Sequence, residues 1–260
     1  GVTIVRAHPI DWEAYQTGEK ELGIVDEREF WTLAVGRELT DPPRYAEDFL
    51  GSKLMQNWED ALEDAIDADA AQLNLAYVSA EPELYSWYYR DREDEESDLS
   101  NLPLTAYLIN LGMTSMNAPL DVRILDTVGL ATPIAARMPR DPKGRVGHDK
   151  FLDPAWQAAD TDTYLDGLPP FISSMRAKQA RAALRSPEIS ELLATSREPM
   201  SWERFWKNVR YSLSDGRTLQ LSSDPGLYID ADTRRAIRRG ANPGMDGTQL
   251  AWPVEAHARK

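Results

Sequence analysis

The stretch LTAYLINLGMTSMNAPLDVRIL, residues 104–125, decides how the fold is read. Leu104–Leu111 and Val122–Leu125 are short apolar runs that read as strands. Between them, Gly112–Pro119 supplies the punctuation of a connection. Two such runs predict the core pair of a small sheet, and Leu73–Val78 reads as a further strand.

Outward from this pair the spacing turns helical. Phe30, Leu33 and Ala34 recur at helical intervals within Asp26–Arg37. Asp41-Pro42-Pro43 marks a turn, after which Tyr45, Phe49, Met55, Trp58, Leu62 and Ile66 predict one long helix with an acidic outer face, kinked near Gly51. Residues 2–10 alternate loosely, as a short strand does, before Asp11 caps a helical stretch. After Pro169-Pro170 the chain predicts helices over Phe171–Leu184, from Ser186-Pro187-Glu188 with Pro at the first helical position, from Ser201-Trp202-Glu203-Arg204, and over Asp230–Arg239. Leu219–Leu221 reads as a strand and Gly240–Gly247 as a loop leading to a loose tail. The expected fold class is α+β, helix-dominated around a small sheet. Residues 1–260 read as a single domain, with an acidic helical lobe (1–100) and a second lobe (101–260) as an option.

Charge separates the two halves. Residues 1–100 carry 8 Lys+Arg against 25 Asp+Glu, a balance of −17, and residues 101–260 carry 21 against 18, a balance of +3. Such a molecule is polarised and steers oppositely charged partners. Nucleic acid is not an expected partner, because no recognisable binding motif accompanies the scattered arginines. Eight Trp and ten Tyr in a 42% hydrophobic chain provide ample apolar area for a core. The chain has no Cys, so disulfides and thiolate metal sites are excluded while the redox compartment stays open. No apolar run reaches the roughly 18 residues of a membrane span. A start at Gly1, without Met or a signal-like segment, fits a piece of a longer and even membrane-bound protein. The run RDREDEESD, Arg90–Asp98, is expected as a solvated loop, since it lacks the Gly turn and ligand spacing of an EF-hand.

Few residue groups suit catalysis. Of three histidines, His8 and His257 lie near the ends, whereas His148 sits in GRVGHDK beside Arg145, Gly147, Asp149 and Lys150. An imidazole in such a glycine-flanked turn either meets a sugar hydroxyl or phosphate, or pins the loop through a backbone carbonyl. No G-x-S-x-G elbow or zinc ligand set is present. The pairs Asp160/Asp162 and Asp230/Asp232 have the residue type for glycoside hydrolysis, but spacing alone does not place them across a cleft, and 43 acids produce such pairs by chance. Trp202, Phe205 and Trp206 stand at i, i+3, i+4, a pattern that favours core packing over a sugar-stacking platform.

The run ILDTVGLATPIAARMPRDPKGRVGHDK, Ile124–Lys150, resembles the C-terminal region of a family of multi-spanning bacterial membrane glycosyltransferases, the mycobacterial AftB arabinofuranosyltransferases with their ZomB-like relatives. The matching elements are Asp126, Gly129-Leu130, Pro133, Ala136-Arg137, Pro139 and Arg145–Lys150, with a weaker match in GIVDEREFW, Gly23–Trp31. The resemblance implies a GT-C parent that transfers terminal β-(1→2)-linked arabinofuranose from a polyprenyl-phosphate donor (decaprenyl-phosphate) to arabinogalactan and lipoarabinomannan. It implies a place on the extracytoplasmic face of the cytoplasmic membrane, with the transmembrane domain as a partner. The family's catalytic carboxylate belongs to the membrane portion, so no catalytic residue carries over to this chain, which is expected to be inactive alone. It carries no cofactor or metal-site expectation, and the parent's divalent-metal requirement stays open. The expected role is acceptor-glycan binding, through Asp126, Arg137, Arg145, His148, Lys150, Trp202 and Trp206. A non-catalytic interaction module and a glycoside hydrolase are the alternatives, and an Asp126–Arg137 ion pair that merely shapes the GLATP turn is the structural alternative for the motif.

Overall fold

The computed structural model describes residues 27–92, 102–144 and 147–242. The expected strand at 2–10, the helix after Asp11, Arg145 and the tail beyond Asn242 lie outside those residues, as does most of the acidic run.

Helix α1 (Arg28–Ala34) is followed by two short 3-10 turns, Ala46–Gly51 and Lys53–Met55, and by α2 (Trp58–Asp67). The single long helix expected over Tyr45–Ile66 is therefore broken. It is interrupted just past Gly51, as expected, where Ser52 is extended, and again at Asn57, whose φ of 58° is left-handed and incompatible with a continuous helix. Strand β1 (Gln72–Ala80) and β2 (Glu83–Arg90) form an antiparallel hairpin. Strands β3 (Thr105–Tyr107) and β4 (Arg123–Leu125) flank α3 (Leu111–Met116), so the strand expected over Leu104–Leu111 is only three residues long. The sheet order is β2-β1-β3-β4, with β1/β3 and β3/β4 parallel. The α+β, helix-dominated class holds.

The remaining helices are α4 (Pro133–Ala136), α5 (Pro154–Ala159), α6 (Ser174–Ala183), α7 (Pro187–Arg197), α8 (Trp202–Leu213), α9 (Asp215–Thr218) and α10 (Ala231–Arg238). Leu219–Leu221 is not a strand. Its one link of that kind is the Leu221 N–H donating to the Arg137 carbonyl at 2.8 Å.

Register explains the layering. Leu73, Ala106 and Ile124 stand side by side across β1, β3 and β4. Their face joins Met55, Trp58, Leu62, Met113 and Val122 in one core cluster, built from residues on both sides of position 100. On the same face Trp87 of β2 meets Trp58 edge-on, ring centroids 4.8 Å apart. A second cluster packs Tyr107, Ile134, Leu152, Trp156, Leu184, Ile189 and Leu193 beneath the helices.

The opposite row, Gln72, Thr105 and Arg123, is polar and buried. Below it Asp160 accepts from Arg197 Nη2 at 2.7 Å and from the Tyr107 hydroxyl at 2.9 Å, with Arg123 Nη1 at 3.8 Å. Asp162 is bound by Arg92, which also donates to the Leu102 carbonyl at 2.8 Å. Burial pushes both carboxyls upward. At Asp160 the Arg197 and Arg123 charges outweigh it and hold the group below the usual range, whereas at Asp162 burial prevails over Arg92 and the group is raised.

Candidate functional site

Strand β1 outruns its parallel neighbour. The last β1–β3 pair is Asn74 with Tyr107, after which β1 continues to Ala80 while the chain leaving β3 bends away, its Leu108 N–H donating to the Leu125 carbonyl at 2.9 Å. A crevice opens at the carboxyl ends of the parallel strands, the place where ligands enter open sheets of this kind. It encloses about 720 Å³ and continues into a smaller, Met-rich recess of about 350 Å³. The two meet at Glu27, Trp31, Ile109, Asn110 and His148. Volumes in this range suit small-molecule and oligosaccharide-sized ligands.

The walls are aromatic. Tyr77, Tyr85 and Tyr88 come from the hairpin, Phe30 and Trp31 from α1, and Phe171 from the loop before α6. Tyr77 and Tyr85 pack edge-to-face at 5.5 Å, and the Arg90 guanidinium lies 5.6 Å over the Tyr88 ring. Trp31 is fixed by donating from Nε1 to Glu27 at 2.9 Å.

Between the rings lie nitrogens without partners. Asn74 Nδ2, Arg90 Nε, Asn110 Nδ2 and His148 Nδ1 are all buried and make no hydrogen bond, and all four side chains line the groove. Asn74 is only 7% exposed. Buried polar groups are normally satisfied, so four orphans around one crevice point to a ligand rich in hydrogen-bonding oxygen. Other polar groups nearby are spent: Arg90 donates from Nη1 to Gln72 at 2.7 Å, and Gln157 donates to the Leu152 carbonyl at 2.6 Å.

The motif residues divide between scaffold and groove. Asp126 is fully buried just after β4. Its Oδ2 accepts from the N–H groups of Val128 (3.0 Å), Gly129 and Leu130 (2.8 Å), and its Oδ1 from Ala131 and Thr132 (2.8 Å each). Burial raises this carboxyl, but the N–H groups of Ala131, Leu130 and Thr132 prevail and hold it below its usual range. The carboxylate thus folds the GLATP loop from within and forms no ion pair with Arg137. Gly129 has φ +90°, and a Cβ there would stand 2.6 Å from the Ala136 backbone, so the loop admits only glycine. That loop places Thr127 on the groove wall and ties it down by the Leu152 N–H donating to its carbonyl at 2.8 Å.

Of the six expected binding residues that the structure describes, His148 alone lines the groove. Its loop is closed by the Asp141 N–H donating to the Asp149 carbonyl at 2.6 Å and by an Arg140–Asp149 ion pair. Arg137 and Lys150 are half-buried and line neither recess, and Arg145 lies outside the described residues. Trp202 and Trp206 are likewise outside the groove, 74% and 52% exposed, so the core packing that their spacing favoured is not what the fold makes of them. Sequence reasoning missed Asn74, Tyr88, Arg90 and Asn110. The available signal was the aromatic run ELYSWYYR, which was not assigned to a strand. The Asp160/Asp162 pair is buried in ion pairs, Asp230 caps α10 by accepting from the Thr233 N–H at 2.7 Å while Asp232 pairs with Arg235, and neither pair lines the groove. Among the described residues no cluster of His, Asp and Glu is placed to hold a metal, and no helix is long and apolar enough to cross a membrane.

The crevice thus joins aromatic ring faces to unpartnered nitrogens at the strand ends of an α+β module. The chain belongs to the AftB family, whose C-terminal domain profile matches residues 51–231. It is 42% identical over 259 residues to a terminal beta-(1->2)-arabinofuranosyltransferase of Corynebacterium glutamicum, covering 98% of this chain and 36% of that protein. It is 40% identical over 108 residues to the enzyme of the same name from Mycobacterium tuberculosis, covering 41% of this chain and 17% of that one. The chain thus spans about a third of the length of the first relative, and its match to the second spans about a sixth. No solved structure matches it. These relationships tie the chain to glycosyltransferases.

Proposed function

We propose that this chain is the acceptor-engaging domain of a terminal arabinofuranosyltransferase, and that the crevice beside β1 holds a segment of arabinan. The transfer itself, from a polyprenyl-phosphate arabinose donor, falls to a membrane portion outside this chain, with the domain on the extracytoplasmic face. The observation that carries the reading is the convergence of Asn74 Nδ2, Arg90 Nε, Asn110 Nδ2 and His148 Nδ1 on one aromatic-walled groove. Furanose hydroxyls and ring oxygens accept hydrogen bonds, and the C–H faces of the sugar pack on Tyr and Trp rings. Both segments that carry the family resemblance meet there, Glu27, Phe30 and Trp31 from one and Thr127 and His148 from the other.

Calorimetric or NMR titration of the chain with arabinofuranose oligosaccharides tests this. Each hydrogen bond is worth about 0.5–1.5 kcal/mol, so Asn74→Leu and His148→Ala should each weaken binding about two- to tenfold. Unchanged affinity in both variants, each confirmed as folded, would remove the groove as the glycan site.

A further inference from the structure

Helix α8 is inside out. Apart from Tyr211, which packs on the core, its inward face is polar: Arg204, 3% exposed, donates to Asn208 at 2.7 Å and to Glu198 at 3.1 Å and pairs with Glu191, while Asn208 donates to the Thr195 carbonyl at 2.9 Å. Its outward face is apolar. Trp202, Phe205, Trp206 and Leu213 stand exposed along one stripe at helical spacing, with Val209 half-buried between them and Met200 exposed just before. The rings pack on one another, Trp202 parallel to Phe205 at 5.3 Å and Trp206 edge-on to Phe205 at 5.2 Å. Surface helices of a folded domain normally turn such a stripe to the core. Here the anchoring network fixes the opposite rotation, and the apolar face is left to something outside the domain.

We propose that α8 is an interfacial anchor that lays its Trp202–Phe205–Trp206 face into an anionic lipid surface. Three observations select lipid. Trp and Phe on one face with cations beside them is the pattern of helices that lie in the headgroup region. Lys207 and Arg210 flank the stripe and Arg217 follows in α9; Arg210 and Arg217 have no carboxylate partner among the described residues, which gives charge complementarity to lipid phosphate within a chain of net charge −14. The stripe is also poor in polar groups for a sugar, because beyond the Trp202 and Trp206 indole N–H groups its members Val209 and Leu213, with Met200 before them, offer no side-chain hydrogen bond, and the neighbouring carboxylate, Glu203, is paired with Lys207 at 3.0 Å. The anchor is separate from the groove, so either reading stands without the other.

The test is flotation of the whole chain with vesicles of phosphatidylcholine and phosphatidylglycerol at equal proportion, against pure phosphatidylcholine. The chain should float with the anionic vesicles and much less with the neutral ones. Trp202→Ser with Trp206→Ser should lower the vesicle-bound fraction at least tenfold, and Lys207→Glu with Arg210→Glu should abolish the preference for anionic lipid. All four side chains are on the surface, so circular dichroism and arabinan binding in the groove should be unaltered. Failure to float, or flotation unaffected by the aromatic pair, overturns the proposal. So does protection of Trp202 and Trp206 by arabinan oligosaccharide, which makes the stripe a sugar platform. A chain dimer that dissolves in the Trp202/Trp206 variant overturns it in favour of a contact between copies.

Discussion

Replacing Asp126 by Asn changes one atom of the carboxylate and removes its charge, yet the geometry makes this an expensive substitution. Three N–H groups point at Oδ2 and two at Oδ1. Whichever position the new amide NH2 takes, it faces at least two backbone donors with a donor. At least two buried N–H groups lose their acceptor, at about 1–3 kcal/mol each, so the cost is about 2–6 kcal/mol. Against the total of about 5–15 kcal/mol typical of a domain, that is a large share. Urea unfolding followed by Trp fluorescence measures it directly as a fall in the midpoint at constant slope. The loop also carries Thr127 on the groove wall, so arabinan affinity at a temperature where the variant remains folded should fall as well. A loss of stability below 1 kcal/mol would refute the view that this carboxylate organises the loop.

Two further outcomes follow from the charged interior. Arg197→Met removes one of the two guanidinium partners of Asp160 and should destabilise the chain by about 3–5 kcal/mol, read as a lower unfolding midpoint; a change under 1 kcal/mol would show that Arg123 alone suffices. Asp126 and Asp160 have carboxyls held below their unfolded values, so the stability they add is present above the ordinary carboxylate pKa of about 3.9 and is lost as pH falls through their folded values. Asp162, raised by burial, works in the opposite sense and offsets part of that loss. Thermal midpoints measured from neutral pH down to about pH 3 should therefore decline, and Asp126→Asn should flatten the decline.

Much of the scaffold was legible because the local signals agreed. Ser201 caps α8 as its sequence predicts, accepting from the Arg204 N–H at 3.0 Å, and Pro187 opens α7 at the first helical position. Strand β2 escaped because both its faces are used. Trp87 packs on Trp58 while Tyr88 and Arg90 face the groove, so no alternation of apolar and polar residues survives to mark a strand. The spacing of Trp202, Phe205 and Trp206 correctly put them on one face, but the direction of that face depends on Arg204 and Asn208 finding Glu191, Glu198 and Thr195, a tertiary fact. Asp126 was legible as important and misread in kind, since five backbone groups converging on it come from its own next six residues, a local turn that sequence spacing resembles only in outline. The orphaned nitrogens of Asn74 and Asn110 were not legible at all, because being left without a partner is a property of the finished packing.

The overrun of β1 past β3 has a thermodynamic side. The wall it supplies is already held in register by five cross-strand pairings with β2, and the opposite wall is tied down at Asp126 and Leu152. Under the proposed function, a saccharide entering the groove would find its contacts preorganised and would pay little to freeze the protein backbone. A flexible polymer tip, which must itself surrender rotational freedom on docking, would then need only a few modest contacts to be held and could leave again once extended.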